Sequence, residues 1–463
     1  MEFARTAAQP AHADDSYDSV GGCVSQIQNQ VKRFFDYEQP MLLVYLLRWL
    51  LIGAAVGVLA GSASALLLAG LNWATATRES HRWMIALLPL AGLVVGLMYH
   101  SFGRTVEGGN NLILDEIHDP KAMLPLRMTP LILIGTVITH LFGGSAGREG
   151  TALQTGASLA DQLSKPLRMD ASDRGILLMA GIAGGFGSVF GTPMAGTVFG
   201  LEVLALGQVS YAALFPCLIA AFVGDAVTHA WGIQHTVYRV TATPAMSLTG
   251  LLWSIAAGIA FGVVGMAFAR VTHGIAHWSK RRIAWPPLRP FVGGVLVAGA
   301  VFALGTTRYV GLGIPVMVEA FAQPVHPWDF AAKFLFTVVT LGFAFKGGEV
   351  TPLFFIGATL GNALAWVLPL PSSLLTGMGF VAVFAGAANT PIASSLMAIE
   401  LFGAEAGSYA AIACVASYLF SGHAGIYSSQ RVGYSKLLSR KEDEGMTLAA
   451  VGKARAEGEK DAG

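Results

Sequence analysis

Glu149 is the residue in this chain best placed to do chemistry. It lies within Gly143-Gly144-Ser145-Ala146-Gly147-Arg148-Glu149-Gly150-Thr151, between two strongly apolar stretches. A carboxylate at membrane depth is costly and marks a functional site by default. The glycine-rich run lets backbone N–H groups point into a cavity, and the segment after it reads as a helix start. Free N–H groups and the positive end of a helix dipole make an anion site. A glutamate there can fill the site with its own carboxylate, and protonation would release it. The plainer reading is a Glu149–Arg148 ion pair on a surface loop, since most charged residues are solvated.

A second such place is Gly348-Glu349-Val350-Thr351-Pro352. Proline suits the first helical position and threonine the N-cap before it. The segment therefore predicts a helix starting at Pro352, capped by Thr351, with Glu349 beside it. Glu349 is a candidate proton or gate acceptor, or simply an acid favouring a helix N-terminus. A third place is Gly108-Gly109-Asn110-Asn111 ahead of Leu112-Ile113-Leu114. Asn110 is either an N-cap or an amide with two donors for an anion. Tyr427, in Gly425-Ile426-Tyr427, offers a hydroxyl to the same anion or belongs to an interfacial aromatic belt.

The elements that hold these residues are apolar. The chain has 463 residues, 54% hydrophobic and 12% charged, against roughly 25% charged in a soluble domain. That leaves too little polar surface for a water-soluble body. Its net charge of +1 offers no basic patch for nucleic acid. Cys23, Cys217 and Cys414 are far apart, which argues against a disulfide framework or a zinc site. No cofactor and no metal ligand is assigned. Residues 1–40 are polar, with no apolar core of a signal peptide. The sequence turns hydrophobic at Met41, stays largely so to about Phe420, and ends in a charged tail over 431–463.

Several apolar stretches reach the roughly 20 residues that a spanning helix needs. Others are interrupted, at Gly143-Gly144, Gly191-Thr192-Pro193, Gly347-Gly348 and Thr390-Pro391. Short, broken segments in corresponding places point to a transporter with discontinuous helices. An internal repeat supports this. Gly147-Arg148-Glu149-Gly150-Thr151 and Gly156-Ala157 match Gly347-Gly348-Glu349-Val350-Thr351 and Gly357-Ala358, with an offset of 200 at the glutamates (349 − 149). Thr192-Pro193 with Glu202 matches Thr390-Pro391 with Glu400, with an offset of 198 (400 − 202). Two ordered matches predict two structural halves, 41–233 and 246–430.

These motifs resemble the CLC family of anion channels and transporters, over roughly residues 41–430. Gly147-Arg148-Glu149-Gly150 is similar to the family's Gly-Lys/Arg-Glu-Gly motif, whose glutamate is the gate. The Thr-Pro helices ending at Glu202 and Glu400, and Tyr427 near the inner end of the pathway, also fit. Three departures from the chloride branch resemble the fluoride/proton antiporter branch instead. Asn110 stands where the chloride branch has serine. Val350 replaces a phenylalanine. Val203 occupies the position of the inner proton glutamate of chloride/proton exchangers.

The resemblance implies an all-α membrane protein with a CLC-type fold of two inverted-topology halves built from broken and re-entrant helices. It implies a homodimer with one pathway per subunit, in contact with membrane lipid. It also implies a fluoride/proton antiporter of a cell inner membrane, with both termini cytoplasmic, as flanking Lys32, Arg33, Lys436, Arg440 and Lys441 agree. Its partners are fluoride or another small anion and protons. Glu149 is then the gate and proton carrier, with Glu349 and Thr351 receiving it. Asn110, Gly150, Val350, Thr351 and Tyr427 are the candidate anion contacts. Fluoride is small and strongly hydrated, so a site of several backbone N–H groups and an amide suits it. A chloride transporter or a passive anion channel stays open as a rival. An intramembrane hydrolase using Glu149 and Glu349 lacks any supporting motif, and Asp225 has no Gly-x-Gly-Asp setting.

Overall fold

The computed structural model describes residues 38–436 and 440–461. Most of the polar N-terminal segment, with Cys23, Lys32 and Arg33, lies outside the described residues. The chain divides into two units. The first, Met1–Leu51, is described from Glu38 and carries the opening of helix α1 (Glu38–Ser80). The second, Ile52–Gly463, holds everything discussed below.

After α1 follow α2 (Leu88–Phe102), α3 (Asn110–His118), α4 (Met128–Leu141), α5 (Glu149–Asp161), α6 (Ala171–Phe190), α7 (Pro193–Glu202) and α8 (Leu214–Ala230). The long α9 (Leu248–Arg282) leads to α10 (Leu288–Leu304), α11 (Ile314–Ala322), α12 (Asp329–Gly342), α13 (Val350–Leu364), α14 (Ser372–Ala388), α15 (Pro391–Phe402), α16 (Ala404–Phe420) and α17 (Leu448–Asp461). Among the described residues four helices are long and apolar enough to cross a membrane: Met41–Ser80, Arg82–Phe102, Tyr211–Ala230 and Leu248–Arg282. Most of the others are shorter. With 13 residues in α5 and 15 in α13, each extends only about 20 Å at 1.5 Å per residue. A hydrocarbon layer is about 30 Å thick. In a bilayer such a helix leaves at least one end inside, where its unsatisfied backbone groups need a partner.

The predicted interruptions are where helices stop and start. The apolar stretch 175–205 is two helices, α6 and α7, parted by Gly191, which takes the left-handed conformation at φ +72°. The stretch 375–402 is likewise α14 and α15, parted by Asn389 at φ +58°. Close packing of α13 on α14 depends on Gly357 and Gly379: a Cβ on either would overlap the other's carbonyl oxygen. Small residues at such crossings let helix backbones touch without a bulky side chain between them.

The repeat is realised as reciprocal capping. Glu202, at the end of α7, accepts hydrogen bonds from the N–H groups of Ile392 (3.0 Å) and Ala393 (2.8 Å) at the start of α15. Glu400 on α15 accepts from Met194 and Ala195 at the start of α7, both at 2.8 Å. Proline at the first position of each helix has no N–H to satisfy. The glutamate serves the next two.

The tail is better packed than its composition indicated. Arg431–Val432 forms a short strand, β2, parallel to β1 (Ala205–Leu206). Leu206, Val432, Leu448 and Val451 make a small core beneath α17. Lys436, read from sequence as a flanking surface charge, donates to Asn389 Oδ1 (2.6 Å), the Tyr418 carbonyl (2.7 Å) and Ser421 Oγ (3.0 Å). Cys217 and Cys414 are free thiols in the core.

Candidate functional site

Two glycine breaks meet. The first joins α4 to α5 and the second joins α12 to α13. Gly147 N donates to Gly348 O (2.6 Å) and Gly348 N donates to Gly147 O (2.8 Å), an antiparallel bridge between the breaks. Side chains at these two positions would collide: a Cβ on Gly147 would lie 2.9 Å from the Gly348 carbonyl oxygen. The first break is also tied to α12, with Ser145 Oγ 2.9 Å from Thr337 Oγ1 and Ser145 N donating to Thr340 Oγ1 (3.1 Å). The wholly buried Lys333 holds the neighbouring loop by donating to the carbonyls of Tyr309 (3.0 Å) and Gly311 (2.7 Å). Gly311 N in turn donates to Gly144 O (3.0 Å). The helix starts of α5 and α13 are therefore set side by side by backbone.

Glu149 is the first residue of α5 and is fully buried. Its carboxylate does not turn to its own helix. It accepts from Thr351 N (2.9 Å) and Thr351 Oγ1 (2.6 Å) at the start of α13. It also accepts from Arg148 N (3.2 Å) and Arg148 Nε (3.3 Å). The Arg148–Glu149 pair thus exists, but Glu149 is buried and Arg148 nearly so, so the surface-loop reading fails. Thr351 is not the N-cap predicted from sequence. The helix begins two residues earlier, at Val350, with Glu349 as N-cap. Thr351 sits in the first turn, where its N–H has no intrahelical partner and joins the hydroxyl in holding the carboxylate.

Asn110 is likewise one place off: Gly109 is the N-cap of α3 and Asn110 its first residue, with no side-chain capping bond. The Asn110 amide lies against Gly150 instead. A Cβ built on Gly150 would be 3.1 Å from Asn110 Nδ2 and 3.6 Å from Glu349 Oε2. Asn110, Gly150 and Glu349 therefore converge. Tyr427 is 3% exposed, which removes it from an interfacial belt. Its ring stands edge-on to Phe199 at 6.5 Å. The structure brings every predicted site residue to one place, Val350 included.

Three polar atoms here are buried without a hydrogen-bond partner among the described residues: Asn110 Oδ1, Glu349 Oε2 and Tyr427 Oη. Folded proteins satisfy most such atoms, and a cluster of exceptions marks a functional place. Asn110, Glu349 and Tyr427 line a cavity of about 240 Å³. Lys280, Arg289 and Lys346 also line it, with Glu107 the other acid. The Lys346 ammonium stands 3.8 Å from the centre of the Tyr99 ring, a cation–π contact. A smaller apolar cavity beside it is lined by Asn110, Val203, Phe199 and Tyr427.

Sequence reasoning missed Asn111 and the basic lining. Asn111 Oδ1 accepts from Ser429 N (3.0 Å) and so ties the start of α3 to the segment carrying Tyr427. Its signal was present, as the second asparagine of Gly108-Gly109-Asn110-Asn111. Arg289 and Lys346 stand singly in the chain, and Lys280 belongs to the run Lys280-Arg281-Arg282 that closes α9, where basic residues suit a helix C-terminus. Lys346 alone had a signal, directly before Gly347-Gly348.

Comparison with known proteins identifies the family and the fold. The family described as voltage gated chloride channel matches residues 91–422. A "Chloride/fluoride channel protein" of Pseudomonas syringae pv. tomato is 56% identical over 413 residues, covering 88% of this chain and 91% of that protein. The crystal structure of a CLC-type fluoride/proton antiporter superposes with a TM-score of 0.81 at 34% identity, over 84% of this chain and 98% of that one. A slow cyanobacterial Cl−/H+ antiporter, at 20% identity and TM-score 0.69, shares the fold. This chain belongs to the voltage gated chloride channel family, the CLC family, and has its mostly helical membrane fold.

Proposed function

We propose that this protein is a fluoride/proton antiporter that exports fluoride across a cell inner membrane, working as a homodimer with both termini cytoplasmic. The observation that carries the reading is the Glu149 carboxylate on the Thr351 N–H and hydroxyl. A carboxylate held by a helix N-terminus inside the protein marks an anion site, and here the occupant is the protein's own side chain. Fluoride and the ionised carboxylate compete for those donors. A proton on Glu149 weakens its hold and frees the site, so anion entry is linked to proton uptake.

The surroundings support the exchange. Lys280, Arg289 and Lys346 give the cavity a positive lining that draws anions toward Asn110 and Tyr427. Asn110 Nδ2, the amides near Gly150 and Val350, and the hydroxyls of Thr351 and Tyr427 are the donors that replace fluoride's water. Val203 stands in an apolar cavity and cannot pass a proton. We assign that step to Glu349, whose Oε2 lies beside Gly150. The meeting of Gly147 with Gly348, and of Glu202 with the start of α15, supports two halves over 41–233 and 246–430. The intramembrane hydrolase is set aside because membership of the CLC family indicates a transporter.

The experiment is efflux of fluoride and of chloride from liposomes holding the purified protein, with pH recorded at the same time. Fluoride efflux with opposite proton movement is expected. Fluoride efflux that moves no protons would leave a passive channel, a reading favoured by the name of the Pseudomonas relative. Equal flux of both anions would make it a general anion transporter.

A further inference from the structure

Away from the anion pathway residues, α8 ends in a cluster that the transport reading does not use. Asp225 and His229 are four residues apart on α8 and share one face. The chain turns back after Trp231 through Gly232, at φ +79°, and returns His235 to the same point. One ligand atom from each of the three residues lies within 4.8 Å of the others. His229 Nδ1 is 3.3 Å and His235 Nε2 is 3.7 Å from Asp225 Oδ1. Ligands about 2.0–2.1 Å from a tetrahedral zinc ion stand roughly 3.3–3.4 Å from each other. The two distances to Asp225 are therefore already close to the spacing that such an ion requires, and the two imidazoles lie within 4.8 Å of each other.

The second observation is that the pairing is incomplete. Asp225 Oδ1 and His235 Nε2 are buried and make no hydrogen bond to any described residue. His235 is held on one side. Its ring packs on Gly191, where an added Cβ would come 2.5 Å from His235 Cδ2. His229 is half exposed, which gives an ion a way in and a place for a water ligand. Its Nδ1 also lies 3.0 Å from the main-chain oxygen of Asp225, a hydrogen bond that coordination through the same nitrogen replaces.

We propose that Asp225, His229 and His235 form a binding site for one divalent transition-metal ion of the zinc class. Two imidazoles and one carboxylate suit zinc, nickel or copper, and are a poor set for magnesium or calcium, which prefer oxygen ligands. The site adjoins the gate. His235 lines a small cavity together with Arg148, Tyr238 and Thr351, and Arg148 and Thr351 hold the Glu149 carboxylate. A doubly charged ion there favours the ionised carboxylate and opposes the protonation that frees the anion site. Bound metal therefore slows transport. This last step rests on the gating reading above, and the binding itself does not.

The test is calorimetric titration of zinc chloride into the purified, chelator-treated protein, beside His229→Asn and His235→Ala. Wild type should bind one equivalent that both variants lose or bind about tenfold or more weakly, and magnesium chloride should give no heat of binding. Zinc should also raise the denaturation temperature of wild type and not of His229→Asn, whose exposed side chain makes misfolding no explanation. Equal zinc binding by wild type and both variants would place the metal on other histidines and overturn the site. Fluoride efflux is then measured with and without zinc. Slower efflux in wild type and unchanged efflux in His229→Asn supports the link to the gate. Efflux insensitive to bound zinc overturns that link, whether or not protons move with the anion.

Discussion

Glu202 and Glu400 each cap the helix that carries the other, so every carboxylate oxygen and every capped N–H has a partner. Glu149 and Glu349 stand at equally matched positions of the repeat and do not reciprocate. Glu149 crosses to Thr351 on α13. Glu349 does not cross back, and its Oε2, beside the cavity, has no hydrogen-bond partner among the described residues. The two matched sets of motifs thus yield one saturated pair and one unsaturated pair. Saturation fixes two helices against each other. The unsaturated pair leaves donors and acceptors for something that comes and goes.

The largest effect should come from Glu149→Gln. An amide takes up no proton near neutral pH, so proton movement under a fluoride gradient should fall to the level of empty liposomes. Pumping at the wild-type rate would remove Glu149 from the gate. Glu202→Ala tests the saturated pair. It strands the N–H groups of Ile392 and Ala393, and losing hydrogen bonds to a charged group costs about 1.5–3 kcal/mol. Thermal denaturation in detergent should show that loss, while the protein that stays folded keeps its proton-to-fluoride ratio. A changed ratio with unchanged stability would move Glu202 into the transport machinery and erase the contrast.

A smaller and more discriminating effect is expected at Glu349. Glu349→Gln keeps a donor and cannot titrate, whereas Glu349→Ala does neither. As the proton acceptor assigned here, Glu349 should make the two variants fail alike in proton movement. More coupling in Gln than in Ala would mark it as an anchor for Glu149 only. Wild-type coupling in both would reduce it to a helix-terminus charge. The smallest effect is expected from Asn110→Ser, which shortens the donor near Gly150 and should raise chloride flux relative to fluoride. A ratio equal to wild type takes Asn110 out of selectivity.

Much of the site was readable from the chain, because glycine breaks and a lone carboxylate between apolar stretches are local signals. Gly143-Gly144 and Gly347-Gly348 marked both helix starts, and Glu149, Asn110, Thr351 and Tyr427 lie near them. Register was not readable. Pro352 and Thr351 favoured a start at Pro352, yet the bridge between Gly147 and Gly348 begins α13 at Val350 and turns Thr351 from a cap into a donor. Proline tolerates any place in the first turn, where its missing N–H removes no bond, so local preference could not decide. The glutamate caps were also hidden. Their partners lie 190 and 206 residues away, and nothing local in Glu202 names Ile392. The packing of Lys436 and α17 depends on a two-residue ladder, too short for any periodicity to betray.

The bond from Thr351 to Glu149 spans 202 residues, and that span has a meaning for biosynthesis. At about 5–20 residues per second, roughly 10–40 s separate the making of Glu149 from the making of Thr351. Through that interval the nascent chain carries one glycine break with nothing to clasp. An unfinished or truncated copy therefore carries its first apolar helices without the clasp between Glu149 and Thr351, which waits for the second break.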